Sequence, residues 1–202
     1  MSRVALALWL TVAPHPAGGA QPPREALRYQ RDLVREARAA FGLDAPIAAL
    51  AAQVHQESAW RADAVSPAGA VGLTQFMPAT ADWIGDLYAE LRPADPRNPR
   101  WSLRAQARYM RWLLERTAAR NDCESYAFAL ASYNGGLGWT KRRRAKAADP
   151  GRCLGAACDI NPGVSASSQR ENRAYPRRVL FRWQPVYRPW GGELCAAYGV
   201  GP

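Results

Sequence analysis

The sequence predicts a mainly α-helical protein built around one domain. Apolar residues recur at helical spacing in several segments that are separated by polar loops rich in Pro and Gly. Few segments show the period-two alternation of a half-buried strand. The chain has 202 residues, of which 48% are hydrophobic and 22% are charged, as in soluble globular proteins. This composition excludes intrinsic disorder, and the length is sufficient for a sizeable core.

Four helices are expected in the first 120 residues. They are predicted over residues 23–41, over residues 45–58, from Pro78 to Leu91 and over residues 102–119. Pro23 suits a first helical turn and Gly42 suits a helix end. Pro93, Pro96 and Pro99 predict a loop before the fourth helix.

The rest of the chain is expected to hold two more helices around a long loop. A short buried helix is predicted over residues 125–133, followed by two glycines that end it. Residues 139–170 are basic and then rich in Gly and Ser, which favours a loop. A last helix is predicted to start at Pro176, and the segment from Pro185 onward is rich in Pro and Gly.

The first twenty residues have the layout of a secretory signal. Arg3 gives a basic start, an apolar stretch follows over residues 4–13, and small residues lead to Ala20. Cleavage after Ala20 would export the chain to the periplasm or the exterior, whereas an uncleaved signal would tether it. We therefore predict a leader (1–20), a helical domain (21–185) and a Pro/Gly-rich tail (186–202).

The cysteines indicate disulfides more than a metal. Four of them follow the leader, namely Cys123, Cys153, Cys158 and Cys195. An even number in an exported chain favours two disulfides, for which three pairings are possible, over four free thiols. The spacing fits no zinc pattern, and the histidines are only His15 and His55. The sequence therefore predicts neither a metal site nor a cofactor.

The charge is strongly basic, with 27 Lys and Arg against 17 Asp and Glu, a net charge of +10. Such a charge suits an anionic envelope surface or a nucleic acid. No nucleic-acid-binding motif accompanies it and the leader indicates export, so no nucleic acid is expected. The basic run at residues 141–144 is either a solvated loop or a contact to anionic wall or lipid. We expect a monomer.

One carboxylate lies on the apolar side of a predicted helix. Glu57 follows Leu50 by seven residues and Val54 by three, so it shares their face. Desolvation raises the pKa of a carboxyl group, and a carboxyl that stays protonated near neutral pH is a general acid. The alternative is an ion pair with a nearby arginine, such as Arg61 four residues further on.

Polar side chains occur in two further segments that suit a sugar ligand. Ser66 and Gln75 lie in a loop of small residues and glycines, which lets the backbone approach a ligand closely. Tyr133 and Asn134 lie where a helix ends. Hydroxyl and amide groups of this kind are suited to sugar hydroxyl and acetamido groups.

In this order the segments resemble the soluble lytic transglycosylase family, which has a lysozyme-like helical fold with a cleft. That family joins a Glu-Ser pair at a helix end to a Gly-Leu-Met-Gln loop, an Ala-Tyr-Asn segment and a Glu followed four residues later by a Tyr. The matching segments here are Glu57-Ser58, Gly72-Leu73-Thr74-Gln75, Ser132-Tyr133-Asn134, and Glu171 with Tyr175. The resemblance covers about residues 40–185. Thr74, Ser132 and Pro176 depart from the pattern, and Pro176 leaves the start of the last helix open.

The resemblance implies cleavage of the β-1,4 bond between N-acetylmuramic acid and N-acetylglucosamine in peptidoglycan glycan strands. Glu57 would protonate the leaving oxygen and then accept the proton of the muramic 6-hydroxyl, which gives a 1,6-anhydro end without water. The substrate's acetamido group would relieve the oxocarbenium, a route outside the two-carboxylate scheme.

The resemblance also implies the supporting residues. The expected substrate-binding set is Ser58, Ser66, Gln75, Tyr133, Asn134, Glu171 and Tyr175. Trp60 and Trp139 are candidates for stacking on sugar rings, and His55 is expected behind the site or at the surface. Two alternatives remain open: a goose-type lysozyme that hydrolyses the same bond, and a non-catalytic glycan-binding or assembly protein. The settings that fit the size are a wall or secretion-associated enzyme and a phage endolysin.

Overall fold

The computed structural model describes residues 21–196 and Tyr198, so the predicted leader lies outside the described residues. The α-helices are α1 (Arg24–Phe41), α2 (Ile47–Ser58), α3 (Pro78–Leu87), α4 (Pro99–Arg116), α5 (Asp122–Gly135), α6 (Leu137–Lys146), α7 (Ala166–Arg177) and α8 (Gln184–Tyr187). A π-helix, Arg178–Trp183, joins α7 to α8, and 3-10 turns cover Ala89–Leu91, Ala157–Asp159 and Arg188–Trp190. Within the described residues, the only β-structure is two isolated antiparallel bridges, which confirms the mainly α class.

Helix α2 is the centre of the structure. Its residues 47–54 are at most 4% exposed, and α1, α8 and the π-helix pack around it. A helix that is apolar on all sides belongs in a core. Only its last turn reaches the surface, where Gln56 and Glu57 are partly exposed.

Two hydrophobic clusters meet beside that last turn. The larger one surrounds α2 and α5, and the smaller one joins α3 to α4 through Phe76, Ile84 and Trp101. Tyr109 and Tyr133 pack against both clusters. The surface between them is the place where a cleft can form.

Several helix ends follow from capping. Helix α1 ends as predicted, with Gly42 at a φ of +82°. Helix α4 starts three residues before the predicted start, because Oδ1 of Asn98 accepts hydrogen bonds from the amides of Arg100 (3.0 Å) and Trp101 (3.3 Å). Asn121 caps α5 in the same way, through the amide of Glu124 at 2.9 Å.

The predicted loop over residues 139–170 is wrong at both ends. Helix α6 covers residues 137–146, and α7 starts at Ala166. The basic run at residues 141–144 lies in α6 and not in a solvated loop, and Arg143 within it is buried together with Thr140. Composition does not distinguish a basic helix that buries one arginine from a basic loop, which is why this segment was predicted as a loop.

The predicted start of the last helix at Pro176 is also wrong. Ser165 caps α7, since its hydroxyl accepts from the amide of Ser168 at 3.1 Å. Pro176 lies inside α7, near its end, and the π-helix begins two residues later. A proline usually ends or kinks a helix because it lacks the amide donor, so the composition favoured a helix start there.

The expected two disulfides are confirmed, with the pairs Cys123–Cys195 and Cys153–Cys158. The buried carboxylate of Glu124 lies between them. Its Oε2 accepts from the amides of Cys153 (2.7 Å) and Leu154 (3.0 Å), and Tyr198 donates to its Oε1.

The boundary predicted at residue 185 falls inside α8. None of the helices in the described chain has both the length and the apolar character of a membrane span.

Candidate active site

The carboxyl group of Glu57 lies in a cleft of about 390 Å³. The cleft is lined by Gln56, Glu57, Ser66, Ala68, Ala70, Gln75, Phe76, Met77, Thr80, Tyr109, Tyr133, Asn134, Glu171 and Tyr175. The last turn of α2, the loop after it, the end of α5 and helix α7 each contribute a wall. Every residue of the expected binding set except Ser58 lines this cleft.

Burial changes the acidity of Glu57. Desolvation raises the pKa of this carboxyl from 4.5 to about 7, although the hydrogen bond from Tyr175 lowers it. The negative charge of Glu171 adds to the rise and the positive charge of Arg178 opposes it. The group is therefore partly protonated at neutral pH, as a general acid must be.

Arg61 does not pair with Glu57. Its Nε instead donates to the carbonyl oxygen of Ser58 at 3.2 Å, which closes the end of α2. The alternative in which an ion pair neutralises Glu57 is therefore wrong. Tyr175 donates to Oε1 of Glu57, and no hydrogen bond to Oε2 forms within the described part of the chain, so Oε2 is available to a ligand.

The chain turns sharply after Glu57. Ala59 and Trp60 have φ values of +51° and +68°, in the left-handed region that residues other than glycine seldom adopt. This turn sends the Trp60 ring into the core, where it is 2% exposed and donates to the Tyr187 hydroxyl at 2.6 Å. The expectation that Trp60 stacks on sugar is therefore wrong, because its ring faces are packed.

Hydrogen bonds fix the loop that follows. Ser58 is buried and its hydroxyl donates to the Leu73 carbonyl at 2.8 Å, so it holds the loop and does not line the cleft. Nε2 of Gln75 donates to the carbonyls of Gly72 (2.9 Å) and Ala64 (3.2 Å). A Cβ at Gly72 would lie 1.9 Å from the Pro96 carbonyl oxygen, so only glycine fits there.

The end of α5 supplies the opposite wall. Tyr133 donates to the Thr74 carbonyl at 2.7 Å, which ties α5 to the Gln75 loop. Desolvation raises the pKa of Tyr133 well above its usual value, so its phenol stays protonated. Asn134 is exposed in the cleft, and its Oδ1 accepts from Asn172 at 2.9 Å.

Glu171 is the second carboxylate in the cleft wall of the described chain. It is exposed and pairs with Arg178, whose Nε donates to Oε1 of Gln56 at 3.2 Å. Trp183 donates to the same oxygen of Gln56 at 3.0 Å. Arg178 therefore pairs with Glu171 of α7 and, through Gln56, ties the start of the π-helix to the last turn of α2.

The two remaining candidates, Trp139 and His55, do not line the cleft. Trp139 lines an adjoining hollow of about 310 Å³ that shares Asn134 and Glu171 with the cleft, and the Arg142 guanidinium lies 4.5 Å from its ring centre. His55 is partly buried behind the site, with Nδ1 2.6 Å from the Tyr187 hydroxyl. Across residues 21–196 and Tyr198, no three His, Cys, Asp or Glu side chains gather as metal ligands.

Sequence reasoning missed two cleft residues, Gln56 and Tyr109, and two residues that hydrogen-bond to the cleft wall, Arg178 and Asn172. Gln56, Tyr109, Arg178 and Asn172 belong to no motif, and each meets the site only through the fold. Arg178 follows Glu171 by seven residues, about two helical turns, so a correct start for α7 would have placed it on the face of Glu171, whereas Asn172 directly follows Glu171 and lies on another face. The sequence carries no comparable signal for Tyr109, which comes from the middle of α4.

The sequence matches a known domain family over residues 32–152, more than half of the chain; the family is the Transglycosylase SLT domain. The membrane-bound lytic murein transglycosylase F of Pasteurella multocida is 38% identical over 90 residues, which are 44% of this chain and 17% of that protein. The protein of the same name from Marinobacter nauticus is 33% identical over 145 residues, 71% of this chain and 27% of that protein. The chain thus spans much less than half the length of these relatives.

Solved structures show the same fold. The 70-kDa soluble lytic transglycosylase from Escherichia coli has a TM-score of 0.59 and 25% identity, covering 82% of this chain and 25% of that one. A complex of the 70-kDa soluble lytic transglycosylase with bulgecin A has a TM-score of 0.59 and 26% identity, covering 83% of this chain and 25% of that one. The expected lysozyme-like fold is confirmed, and the chain belongs to the transglycosylase SLT domain family.

Proposed function

We propose that the chain is a peptidoglycan lytic transglycosylase, which cleaves the bond between N-acetylmuramic acid and N-acetylglucosamine and leaves 1,6-anhydro ends. The observation that carries the proposal is the Glu57 carboxyl, whose burial in the cleft raises its pKa to about 7. Family membership supports the same activity.

Glu57 acts first as an acid. Its free oxygen, Oε2, gives a proton to the glycosidic oxygen as the bond to C1 breaks. The bond's electron pair leaves with N-acetylglucosamine, and the positive charge that develops at C1 is relieved by the acetamido oxygen of the muramic sugar. The hydrogen bond from Tyr175 to Oε1 stabilises the carboxylate that forms.

Glu57 then acts as a base. The muramic 6-hydroxyl attacks C1, and its proton passes to the Glu57 carboxylate, which restores the starting acid. A well-oriented internal nucleophile reaches an effective molarity of about 10⁵ M or more, so it competes with water. The ion pair between Glu171 and Arg178 supports this route. Of the two carboxylates that line the cleft in the described chain, it leaves Glu57 as the one without an ion pair.

The walls of the cleft supply polar groups for the sugars. Ser66 and Gln75 lie on the loop side and suit the muramic sugar, while Tyr133 and Asn134 suit the acetamido group and the position of Glu57. Glu171 and Tyr175 form the far wall. Ser58 contributes through the loop that it holds.

We infer that the enzyme works in the periplasm or outside the cell. The two disulfides support this setting, because disulfides persist in oxidising compartments. The leader-like residues 1–20 point the same way. The excess of basic residues suits attraction to an anionic wall or membrane surface.

Mass spectrometry of peptidoglycan digested by the purified protein tests the proposal. Anhydro ends are the expected product. Hydrated reducing ends would make the chain a goose-type lysozyme in its chemistry, and intact glycan would make it a binding or assembly protein. Glu57→Gln should abolish turnover while the fold is retained. Glu115→Gln, which changes an exposed carboxylate on α4, should leave turnover unchanged.

A further inference from the structure

A chain of hydrogen bonds leads from a buried arginine to the wall of the cleft. It consists of Arg143 on α6, Asn172 on α7 and Asn134 near the end of α5, and we call it the amide chain. Arg143 and Asn172 are 1% and 3% exposed, whereas Asn134 is open to the cleft. The proposed steps use neither Arg143 nor Asn172.

Arg143 fixes the direction of the chain at its buried end. Its guanidinium donates to Oδ1 of Asn172, to Oε1 of Gln169 (2.7 Å) and to the Ile160 carbonyl (3.2 Å). In the described part of the chain no carboxylate lies within ion-pair distance of it. A guanidinium has five N–H donors and no acceptor, so the atom of Asn172 that faces it must be the amide oxygen.

The amide nitrogen of Asn172 therefore points away from Arg143. It donates to the Ala131 carbonyl at 2.8 Å and to Oδ1 of Asn134 at 2.9 Å, which uses both of its N–H groups. Because only an acceptor fits opposite these donors, Asn134 has to present its oxygen to Asn172. Its NH₂ group is then left for the cleft.

Gly135 makes room for this arrangement. A Cβ at this position would lie 2.4 Å from Nδ2 of Asn172 and 3.0 Å from its Cγ. The Asn172 amide cannot move aside cheaply, because it is bonded to Arg143 on one side and to Ala131 and Asn134 on the other. The close approach of Gly135 is thus a second, independent feature that the amide chain needs.

We propose that Arg143 and Asn172 are positioning residues that hold Asn134 as a hydrogen-bond donor toward the acetamido carbonyl of an N-acetylated sugar. The inference rests on the proposed function, because it assumes a glycan in this cleft. A sugar that carries a free amine has no carbonyl to accept the bond, so the amide chain favours the N-acetylated ligand over its de-N-acetylated counterpart.

Asn172→Asp reverses the direction of the chain. A carboxylate still accepts from Arg143, but it cannot donate to Asn134, so Asn134 has to turn its NH₂ toward residue 172 and its oxygen toward the cleft. Gly135→Ala displaces the Asn172 amide without changing any charge. Ser167→Asp is the matched control, because it adds the same negative charge at an exposed position of α7.

Calorimetry with two sugar trimers tests the inference in a Glu57→Gln background, so that cleavage does not interfere. The probes are the N-acetylglucosamine trimer and the glucosamine trimer. Asn172→Asp and Gly135→Ala should each raise the Kd for the N-acetylated trimer by about tenfold, the value of one hydrogen bond, and reduce the preference over the glucosamine trimer by the same factor. Ser167→Asp should leave this preference unchanged.

The preference separates positioning from a general loss of structure. If both variants weaken the two trimers equally, or if neither weakens the N-acetylated trimer, the inference is overturned. It is overturned too if the Glu57→Gln parent shows no preference for N-acetylated sugar. A parent that has this preference, while the unaltered protein releases no anhydro product, contradicts the proposed function and leaves the inference standing.

Discussion

The phenol of Tyr175 on α7 donates a hydrogen bond to Oε1 of Glu57 at the end of α2, across 118 residues of chain. Burial raises the pKa of Glu57 and this hydrogen bond lowers it, with a balance at about 7. The contact thus occupies one oxygen, aims the other at the cleft and keeps the acid from becoming too weak to give up its proton. The reactivity of Glu57 therefore depends on a partner from a distant helix.

The pH dependence of cleavage follows from this balance. The first step needs protonated Glu57, so kcat/KM should fall as pH rises through about 7, where the carboxyl loses its proton. Because the same residue serves as acid and base, no second carboxylate should impose a fall near pH 4. Initial rates on purified peptidoglycan between pH 4 and 9 measure this. A bell-shaped profile with an acidic limb near pH 4 would contradict the single-carboxylate route.

Tyr175→Phe should move that pH profile. Without the donor, the Glu57 carboxylate loses a hydrogen bond, so the pKa of Glu57 rises and the alkaline fall in kcat/KM shifts upward by about one pH unit. The value of kcat should also drop, because Oε2 is no longer held toward the cleft. Initial rates across the same pH range measure both effects.

Tyr126→Phe is the matched control. The Tyr126 hydroxyl is buried without a hydrogen-bond partner among the described residues, and it lies outside the cleft wall. Its removal should leave the pH profile in place and raise stability by about 1 kcal/mol. An unchanged alkaline limb in Tyr175→Phe would show that this hydrogen bond does not set the pKa of Glu57.

The predictability of the fold varied with the kind of signal. Apolar periodicity located α1 and α2, because those helices bury one face or all of it. The capping asparagines Asn98 and Asn121 were overlooked, so α4 and α5 were predicted to start three residues late. Helix α6 was missed because ten residues with five basic side chains have no apolar stripe, and only tertiary contacts of Arg143 and Thr140 bury one side.

The site was predictable to the extent that its residues belong to ordered motifs. The position of Glu57 on the apolar face of Leu50 and Val54 predicts it as a candidate acid without any family resemblance. The role of Ser58 as a loop anchor depends on the Leu73 carbonyl, which no pattern announces. The amide chain is invisible in sequence because Asn134, Arg143 and Asn172 come from three helices, and none of these was fully predicted.

Glu57→Gln should stabilise the protein at alkaline pH. In the folded state the pKa of Glu57 is raised from 4.5 to about 7, so between these values the folded protein binds more protons than the unfolded chain. The free energy of unfolding therefore falls as pH rises through this window, and glutamine removes that loss. The gain should be near zero at pH 4 and about 1–3 kcal/mol at pH 8.

Urea unfolding of the two proteins at pH 4 and pH 8 measures this difference. Other titrating groups are common to both proteins and cancel. Glu115→Gln is the matched control, because it makes the same substitution at an exposed position of α4 outside the cleft. A gain for Glu57→Gln that did not grow with pH would contradict the raised pKa.

The two disulfides should contribute unequally to stability. Cys123–Cys195 joins residues 72 apart and Cys153–Cys158 joins residues 5 apart. On the chain-entropy account, loss of the first costs about 4 kcal/mol and loss of the second about 2 kcal/mol. The short loop is also held by Glu124, which accepts hydrogen bonds from the amides of Cys153 and Leu154. The loss of stability on removing the Cys153–Cys158 bridge should therefore not exceed about 2 kcal/mol.

Paired Cys→Ser variants at each bridge, compared by urea unfolding, measure these costs. The Cys123 and Cys195 pair should show the larger fall in midpoint, and it should release the segment after α8, whose residue Leu194 accepts from Gln184 at 2.6 Å. None of the four cysteines lines the cleft that holds Glu57 and Tyr175, so folded samples of either variant should keep kcat/KM. A larger loss from the Cys153 and Cys158 pair would mean that native-state contacts of that loop, and not chain entropy, decide the outcome.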